Sequence, residues 1–430
     1  MKILIILYIL LVITVILRLV MQNNNSIKTL LWIMVLLFIP VIGLIFFAFL
    51  GRNIRIKNPS INQSSNNNFS FDNFKMPDNS RKLMQLIHNN SGASPYFCNS
   101  INVFDDGKAT FGAMFDAIEN AQEQIDFEFF IFRNDKIGSK MQKLLIKKAL
   151  QGVKVRIIYD FWGSYRLIYN RLFIKQMKDA GIIVQAFLPF SFGRKGLMFN
   201  YRNHRKILLV DSKIGFTGGL NIACRYYYGN RLGLWRDTFV GFAGEAVSGL
   251  QRIFDNDWAF AEKKMLLANT DTAPSNIIAE NVIQIVHSGP DTFWNNIEQG
   301  LSFAIQTAQK FVYIQTPYFV PTETVFETLR IAALSGTEVK VMIATHSDSK
   351  ILDACSASYF RSLLQAGVRI FKYENGFLHC KTCVIDNFIS VVGSANFDVR
   401  SFDQNFEINA FIYGKHTADK FLNMFENDLL

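Results

Sequence analysis

The triplet His-x-Lys, followed after four residues by Asp, occurs twice in this chain, as His204, Lys206 and Asp211 and again as His379, Lys381 and Asp386. The copies also share a downstream tail, Gly218-Gly219-Leu220-Asn221 in the first and Gly393-Ser394-Ala395-Asn396 in the second. One short motif arises by chance in many chains. Two copies with the same tail require a duplicated folding unit.

The residue types point to a chemistry. Alternate side chains of a strand share a face, so His and Lys at i and i+2 point one way while Arg205 or Cys380 points the other. The runs Ile207-Leu208-Leu209-Val210 and Thr382-Cys383-Val384-Ile385 then read as buried strand. Bringing two such strand ends together gathers two imidazoles and two ammonium groups in one small volume. A phosphate diester suits that volume, with the lysines and the amides of Asn221 and Asn396 neutralising and orienting its oxygens. One imidazole can attack phosphorus while the other, protonated, gives a proton to the leaving alcohol.

At 430 residues the chain suits two domains plus appendages. Much of its 50% hydrophobic content sits in the first fifty residues. Apolar runs at about 3–21 and 30–50, joined by a short polar loop, predict a transmembrane hairpin over 1–52. Val20 to Ser26 has no small-residue cleavage site, which argues against a removed signal peptide. Lys2, Arg52, Arg55 and Lys57 flank the open ends of the hairpin against Arg18 and Lys28 at its turn, so the catalytic portion is expected on the cytoplasmic side of the inner (plasma) membrane.

Residues 53–80, rich in Asn and Ser, read as a flexible linker. Beyond them helix and strand signals alternate in two cycles of the same order. Phe111–Gln122, Ile125–Phe132, Ser139–Leu150 and Val153–Tyr159 make the first; Asp291–Gln309, Phe311–Tyr318, Glu323–Leu334 and Val339–Ala344 make the second. The expectation is an α/β fold with a first repeat over 81–275 and a second over 276–430. Each is a mixed sheet flanked by helices, and the two pack with pseudo-two-fold symmetry around one shared site.

The net charge of +10 implies an anionic partner. Charge alone does not separate nucleic acid from anionic phospholipid; the hairpin favours lipid and membrane, and no nucleic acid partner is expected. Five cysteines form no even framework and suit a reducing compartment. Cys380-x-x-Cys383 falls inside the motif strand with no second ligand pair, so no metal or other cofactor is expected. Aromatic and basic residues mix in Phe187–Phe199 and in Arg225-Tyr226-Tyr227-Tyr228, a composition suited to a headgroup interface and equally to loop packing.

The chain resembles the phospholipase D superfamily, whose duplicated motif these residues match, and within it the bacterial cardiolipin synthases. The closer likeness rests on Asn200-Tyr201-Arg202-Asn203-His204-Arg205-Lys206, Trp235-Arg236-Asp237, Gln315-Thr316-Pro317-Tyr318-Phe319-Val320-Pro321 and Gly376-Phe377-Leu378-His379. The resemblance implies joining of two phosphatidylglycerol molecules into cardiolipin, with release of glycerol, through a phosphatidyl-histidine intermediate. It implies His204 as nucleophile and His379 as general acid, and it gives Asp237 and Glu407 the task of fixing the histidine tautomers. It also implies Ser394 as a hydroxyl contact, where the first half has Gly219 instead. Such synthases carry a further C-terminal extension after the stretch seen here as Phe425 to Leu429. Asp211 and Asp386 read as hydrogen-bonding supports of the motif. Glu128 and Gln315, at matching places in the repeats, either line the floor of the site or are polar core residues. A hydrolytic phospholipase D, phosphodiesterase or nuclease would use the same residues with water as acceptor, and a silent lipid-binding protein would be expected to have lost a motif His or Lys.

Overall fold

A computed structural model describes residues 2–21, 26–39, 41–51, 76–98, 100–189, 200–264 and 281–430. Most of the expected linker over 53–80, and the aromatic-basic stretch from 190 to 199, lie outside the described residues. The chain divides into two compact units, Met1–Arg55 with Phe190–Tyr201, and Ile56–Pro189 with Arg202–Leu430.

The first unit contains the helices Lys2–Met21, Ser26–Phe38 and Ile42–Phe46 and a π-helical turn at Phe47–Gly51. Val12, Leu19 and Leu36 are buried between helices against Tyr8, Trp32, Leu44 and Phe47. The outward faces stay apolar: Leu7, Leu10, Leu17, Leu30, Leu31 and Leu37 are all more than half exposed. Among the described residues no helix is long and apolar enough to cross a membrane. The expected transmembrane hairpin over 1–52, with spans at about 3–21 and 30–50, is therefore not found among the described residues, and its second run is broken because the helix stops at Phe38. Pro40, the next residue but one, has no N–H for the helical ladder and disfavours helix at the residue before it.

The second unit is built on two mixed sheets of matching plan. The first runs in the order Phe377–Leu378, Trp235–Ala243, Ile214–Gly218, Lys206–Val210, Gln124–Phe129, Lys154–Asp160, Ile183–Phe187, with Ser100–Asp106 also on Trp235–Ala243. The second runs Pro95–Cys98, Asn281–Ser288, Asn405–Tyr413, Ile389–Gly393, Thr382–Ile385, Phe311–Thr316, Glu338–Ala344, Arg369–Tyr373, with Arg202–Asn203 also on Asn405–Tyr413. Each sheet has three parallel strands joined through helices, as βαβ units require. Each motif strand pairs antiparallel to the first of those three. The helices start where side chains can accept their free N–H groups: Asp106, Asp135, Thr322 and Ser349 are all N-caps.

Two features of this plan bear on the site. Residues 78–98, read from the sequence as the end of the linker (to 80) and the start of the first repeat (from 81), supply a helix (Asp78–Ser91) and a strand (Pro95–Cys98) to the second sheet. Leu83, Met84 and Ile87 enter its core beside Ile297 and Leu301, and Gln284 donates to the carbonyls of Met84 and Ala93. The second feature is a reciprocal exchange of short strands. Arg202–Asn203, just before the first motif, pairs with Asn405–Phe406 of the second sheet, and Phe377–Leu378, just before the second motif, pairs with Trp235–Arg236 of the first. Each histidine is thereby held on the edge of the other half's sheet: the His204 amide donates to the Phe406 carbonyl at 2.9 Å and the His379 amide to the Arg236 carbonyl at 2.7 Å.

Candidate active site

The strand exchange decides which carboxylate meets which imidazole. Nδ1 of His204 lies 3.0 Å from both oxygens of Glu407, and Nδ1 of His379 lies 2.6 Å from Oδ2 of Asp237. Each histidine thus takes its carboxylate from the opposite repeat. A carboxylate at Nδ1 holds the proton there and leaves Nε2 free to act. Lys206 and Lys381, both buried, turn back so that their ammonium groups donate to the carbonyls of His204 and His379 respectively.

The carboxylates are seated differently. Glu407 accepts from the Ser394 hydroxyl and from the Asn405 amide at 3.0 Å. Asp237 accepts from the Thr238 N–H at 2.8 Å, and its carboxylate fills the place where Ser394 has its counterpart. A Cβ built on Gly219 would stand 2.2 Å from Asp237 Oδ1, so the glycine there makes room for the acid. Gly219→Ala is expected to cost about 1–3 kcal/mol of stability through overpacking and to lower turnover by displacing Asp237 from His379. Urea unfolding and steady-state rates on the same preparation check both effects.

Electrostatically the site is short of negative charge. Burial, with Lys206 and Lys381 alongside, lowers the His204 pKa to about 4 against the pull of Glu407. Burial and the cations Lys381, Lys206 and Arg225 hold His379 well below the usual imidazole range. Burial also brings Lys206 down to about 7, opposed by Glu407. Asp237 is pushed up to about 7 by burial, against the attraction of Lys381. Glu407 stays below its ordinary value: burial raises it, but His204, Lys206 and the Ser394 hydroxyl together outweigh burial. An anion placed among these groups relieves the repulsion between the two ammonium charges.

Other expected site residues fall elsewhere. Asp211 and Asp386 are not at the chemistry. Both have positive φ just past the motif strands, about 16 Å along the strand from the lysines at 3.3 Å per residue. Asp211 accepts from the N–H groups of Gln122, Glu123 and Gln124, and Asp386 from those of Gln309, Lys310 and Phe311. They tie the motif strand to the start of its neighbour. Asn221 spends its amide on bracing a loop, accepting from Ile131 N–H at 3.0 Å and donating to the Tyr226 hydroxyl at 2.7 Å. Asn396 donates to Asp398 at 3.1 Å, with its carbonyl oxygen buried and unpaired. Glu128 accepts from Asn203 at 2.6 Å, and Gln315 donates to Asp428 at 2.7 Å, so both are braces of the core.

Behind each histidine lies a buried arginine that sequence reasoning missed. Arg205 donates to both oxygens of Asp257, and Arg236 donates from Nε to Asp428 at 3.0 Å with its Nη2 in ion-pair contact at 2.9 Å. Arg205 Nε also donates to the carbonyl of Glu407, and Arg236 Nη1 to Cys380 Sγ, next to His379. The two acids carry a readable signal: Phe254-x-Asn256-Asp257 and Phe425-x-Asn427-Asp428 are a second duplicated motif. Cys380 serves this brace, its thiol pushed up to about 12 by burial. Among the described residues no group of three or more His, Cys, Asp or Glu could hold a metal ion.

Comparison with known proteins runs along the same lines. The family described as cardiolipin synthase, PLD-like domain, matches residues 114–258 and 301–429, and a phospholipase D-nuclease N-terminal family matches 6–52. The chain is 36% identical to a cardiolipin synthase of Halalkalibacterium halodurans over 95% of this chain and 84% of that one. It is 37% identical to the major cardiolipin synthase of Bacillus subtilis over 93% of this chain and 86% of that one. Its fold is similar to the crystal structure of phosphatidylserine synthase from Haemophilus influenzae, with a TM-score of 0.62 at 13% identity over 82% of this chain and 90% of that one. It is also similar to polyphosphate kinase from Porphyromonas gingivalis, with a TM-score of 0.53 at 11% identity over 77% of this chain and 50% of that one.

Proposed function

The chain belongs to the cardiolipin synthase family with a PLD-like domain, and on that premise we propose that it transfers a phosphatidyl group from one phosphatidylglycerol to the hydroxyl of a second, yielding cardiolipin and glycerol. The observation that carries this reading is the pair of imidazoles, each fixed by a carboxylate from the opposite repeat, with two buried ammonium groups beside them.

In the first displacement Nε2 of His204 attacks phosphorus, the bond from phosphorus to the glycerol oxygen breaks, and protonated His379 delivers its proton to that oxygen. In the second, His379, now neutral, takes the proton of the acceptor hydroxyl. The acceptor oxygen attacks phosphorus and the phosphorus–nitrogen bond to His204 breaks. Lys206 and Lys381 stabilise the charge on the non-bridging oxygens throughout. An incoming diester anion also raises the proton affinity of His379, which is otherwise held neutral by its cationic surroundings. The repeats expected over 81–275 and 276–430 serve as the two halves of this site, with the segment up to Cys98 packed with the second.

The apolar N-terminal helices over 1–52 support association with the bilayer, with the catalytic unit on the cytoplasmic face. Purified protein in phosphatidylglycerol vesicles, in buffer containing EDTA, is expected to produce cardiolipin and glycerol, identified by mass spectrometry. Phosphatidate in place of cardiolipin would make the protein a hydrolase, and loss of all turnover in EDTA restored by a divalent ion would overturn a metal-free site.

The nucleophile sets a pH dependence. His204 must be neutral to attack, and its pKa of about 4 means that the neutral form persists above that value and is lost as pH falls through it. The acid limb of kcat/KM, which reports the free enzyme, is therefore expected near pH 4 and not near 6.5. A limb at 6.5 on a micellar short-chain substrate would show that His204 is not the group that must be unprotonated.

A further inference from the structure

Cardiolipin carries two phosphate diesters separated by one glycerol. The two motif lysines serve the diester undergoing substitution. The other, brought in by the acceptor lipid, is a second anion that needs its own partners once the lysines are engaged.

A third duplicated signal lies four residues past each motif asparagine: Asn221-Ile-Ala-Cys-Arg225 and Asn396-Phe-Asp-Val-Arg400. Arg225 stacks on Trp235 at 4.6 Å and on Tyr226 at 5.2 Å. Both rings pack on His379, at 5.2 and 5.4 Å. Arg400 directs its Nε at Asn405, at 3.5 Å, and Asn405 donates to Glu407, the partner of His204. One arginine therefore stands on the His379 side and the other on the His204 side.

The two sides are not equal. Arg133 sits beside the loop that carries Arg225, its N–H donating to the Ile222 carbonyl at 3.0 Å, and its guanidinium is repelled by those of Arg225 and Arg166. The backbone bridge Phe132–Ile222 corresponds to the pairing of Phe319 with Phe397, so Val320 occupies the place of Arg133 in the other half. The carboxylates that interact with Arg133 and Arg225, Asp135 and Asp348, are engaged elsewhere. Asp135 is taken up by the N–H groups of Ile137, Gly138 and Cys224. Asp348 accepts the Tyr318 hydroxyl at 2.5 Å. Nε of Arg225 is buried with no hydrogen-bond partner. On the Arg400 side the neighbouring Arg202 is set against Asp160.

We infer that Arg225, Arg133 and Arg166 form a second anion subsite that takes the retained phosphate diester of the acceptor lipid, next to His379. This rests on the synthase reading, in which His379 accepts the proton of the acceptor hydroxyl, so the acceptor enters on the side where these arginines lie. Guanidinium groups suit the task because they offer several donors to phosphate oxygens in a fixed fork.

The test compares two acceptors in the same phosphatidylglycerol vesicles. Cardiolipin formation needs the subsite; exchange of the headgroup with labelled free glycerol, which has no phosphate, does not. In Arg133→Gln, Arg166→Gln and the double variant, the ratio of cardiolipin formation to glycerol exchange is expected to fall, by about tenfold or more in the double variant, with the loss in KM for the acceptor lipid. Glycerol exchange also reports that each variant is folded. A ratio equal to wild type, whether both rates fall together or neither changes, overturns the subsite. A wild type that exchanges glycerol and never makes cardiolipin overturns the synthase reading and the subsite with it.

Discussion

His204→Ala and His379→Ala will each lower turnover by about 10⁴-fold or more while leaving the protein folded, as expected when residues act as one catalytic unit. Neither imidazole can stand in for the other. Each is fixed at Nδ1 by its own carboxylate and faces the reaction with one nitrogen, and one displacement needs both a nucleophile and an acid. The folded state survives because the carboxylates keep other partners: Glu407 retains Ser394 and Asn405, and Asp237 retains Thr238. The strand exchange that seats each motif is a backbone feature and does not need the ring. Turnover measured by product mass spectrometry, with thermal unfolding as the control, checks this. Either variant keeping activity within tenfold of wild type would remove the shared site.

Much of this arrangement is legible in the chain because it is written twice. The alternation of helix and strand signals places the strands expected over Ile125–Phe132 and Phe311–Tyr318 in matching roles, seen in the structure as Gln124–Phe129 and Phe311–Thr316, and the helix expected over Glu323–Leu334 has those bounds in the structure. The motif spacing also names the two imidazoles and two lysines that the fold brings together. What escapes has physical causes. Arg202–Asn203 and Phe377–Leu378 are too short to show any periodicity, so their exchange between sheets, and with it the crossed pairing of Glu407 with His204, leaves no local trace. Asp211 and Asp386 are hydrogen-bonding supports, as their place at the strand ends suggests, but the three N–H groups each one captures lie at the start of a neighbouring strand and cannot be named from the motif. Gly219 reads in the sequence as a lost hydroxyl. It is the space that lets Asp237 reach His379, a fact that exists only across two strands. The second apolar run is long enough to read as one helix, and composition alone does not weigh Pro40 heavily enough.

Rapid denaturation after mixing the enzyme with phosphatidylglycerol labelled at phosphorus should leave acid-labile, base-stable label on His204, because two displacements at one site pass through a bond from phosphorus to nitrogen. The crossed carboxylates divide the two steps. Glu407 orients the nucleophile and stabilises the charge it gains on attack, so Glu407→Gln is expected to slow formation of the adduct by about 10³–10⁴-fold, the scale of losing a tautomer-fixing carboxylate. Asp237 supports the acid and base, so Asp237→Asn should slow both formation and discharge and leave the fraction labelled at steady state nearer to wild type than Glu407→Gln does. The comparison separates the two histidines in a way that alanine substitution does not, since His379→Ala can stop the first displacement before any adduct forms. Label on His379 alone would invert the assignment and move the acceptor, and the arginines proposed to hold it, to the wrong side of the site. Net inversion of configuration at a chiral phosphorus would exclude the covalent route, because two successive in-line displacements restore the original configuration and a single attack by the acceptor hydroxyl reverses it.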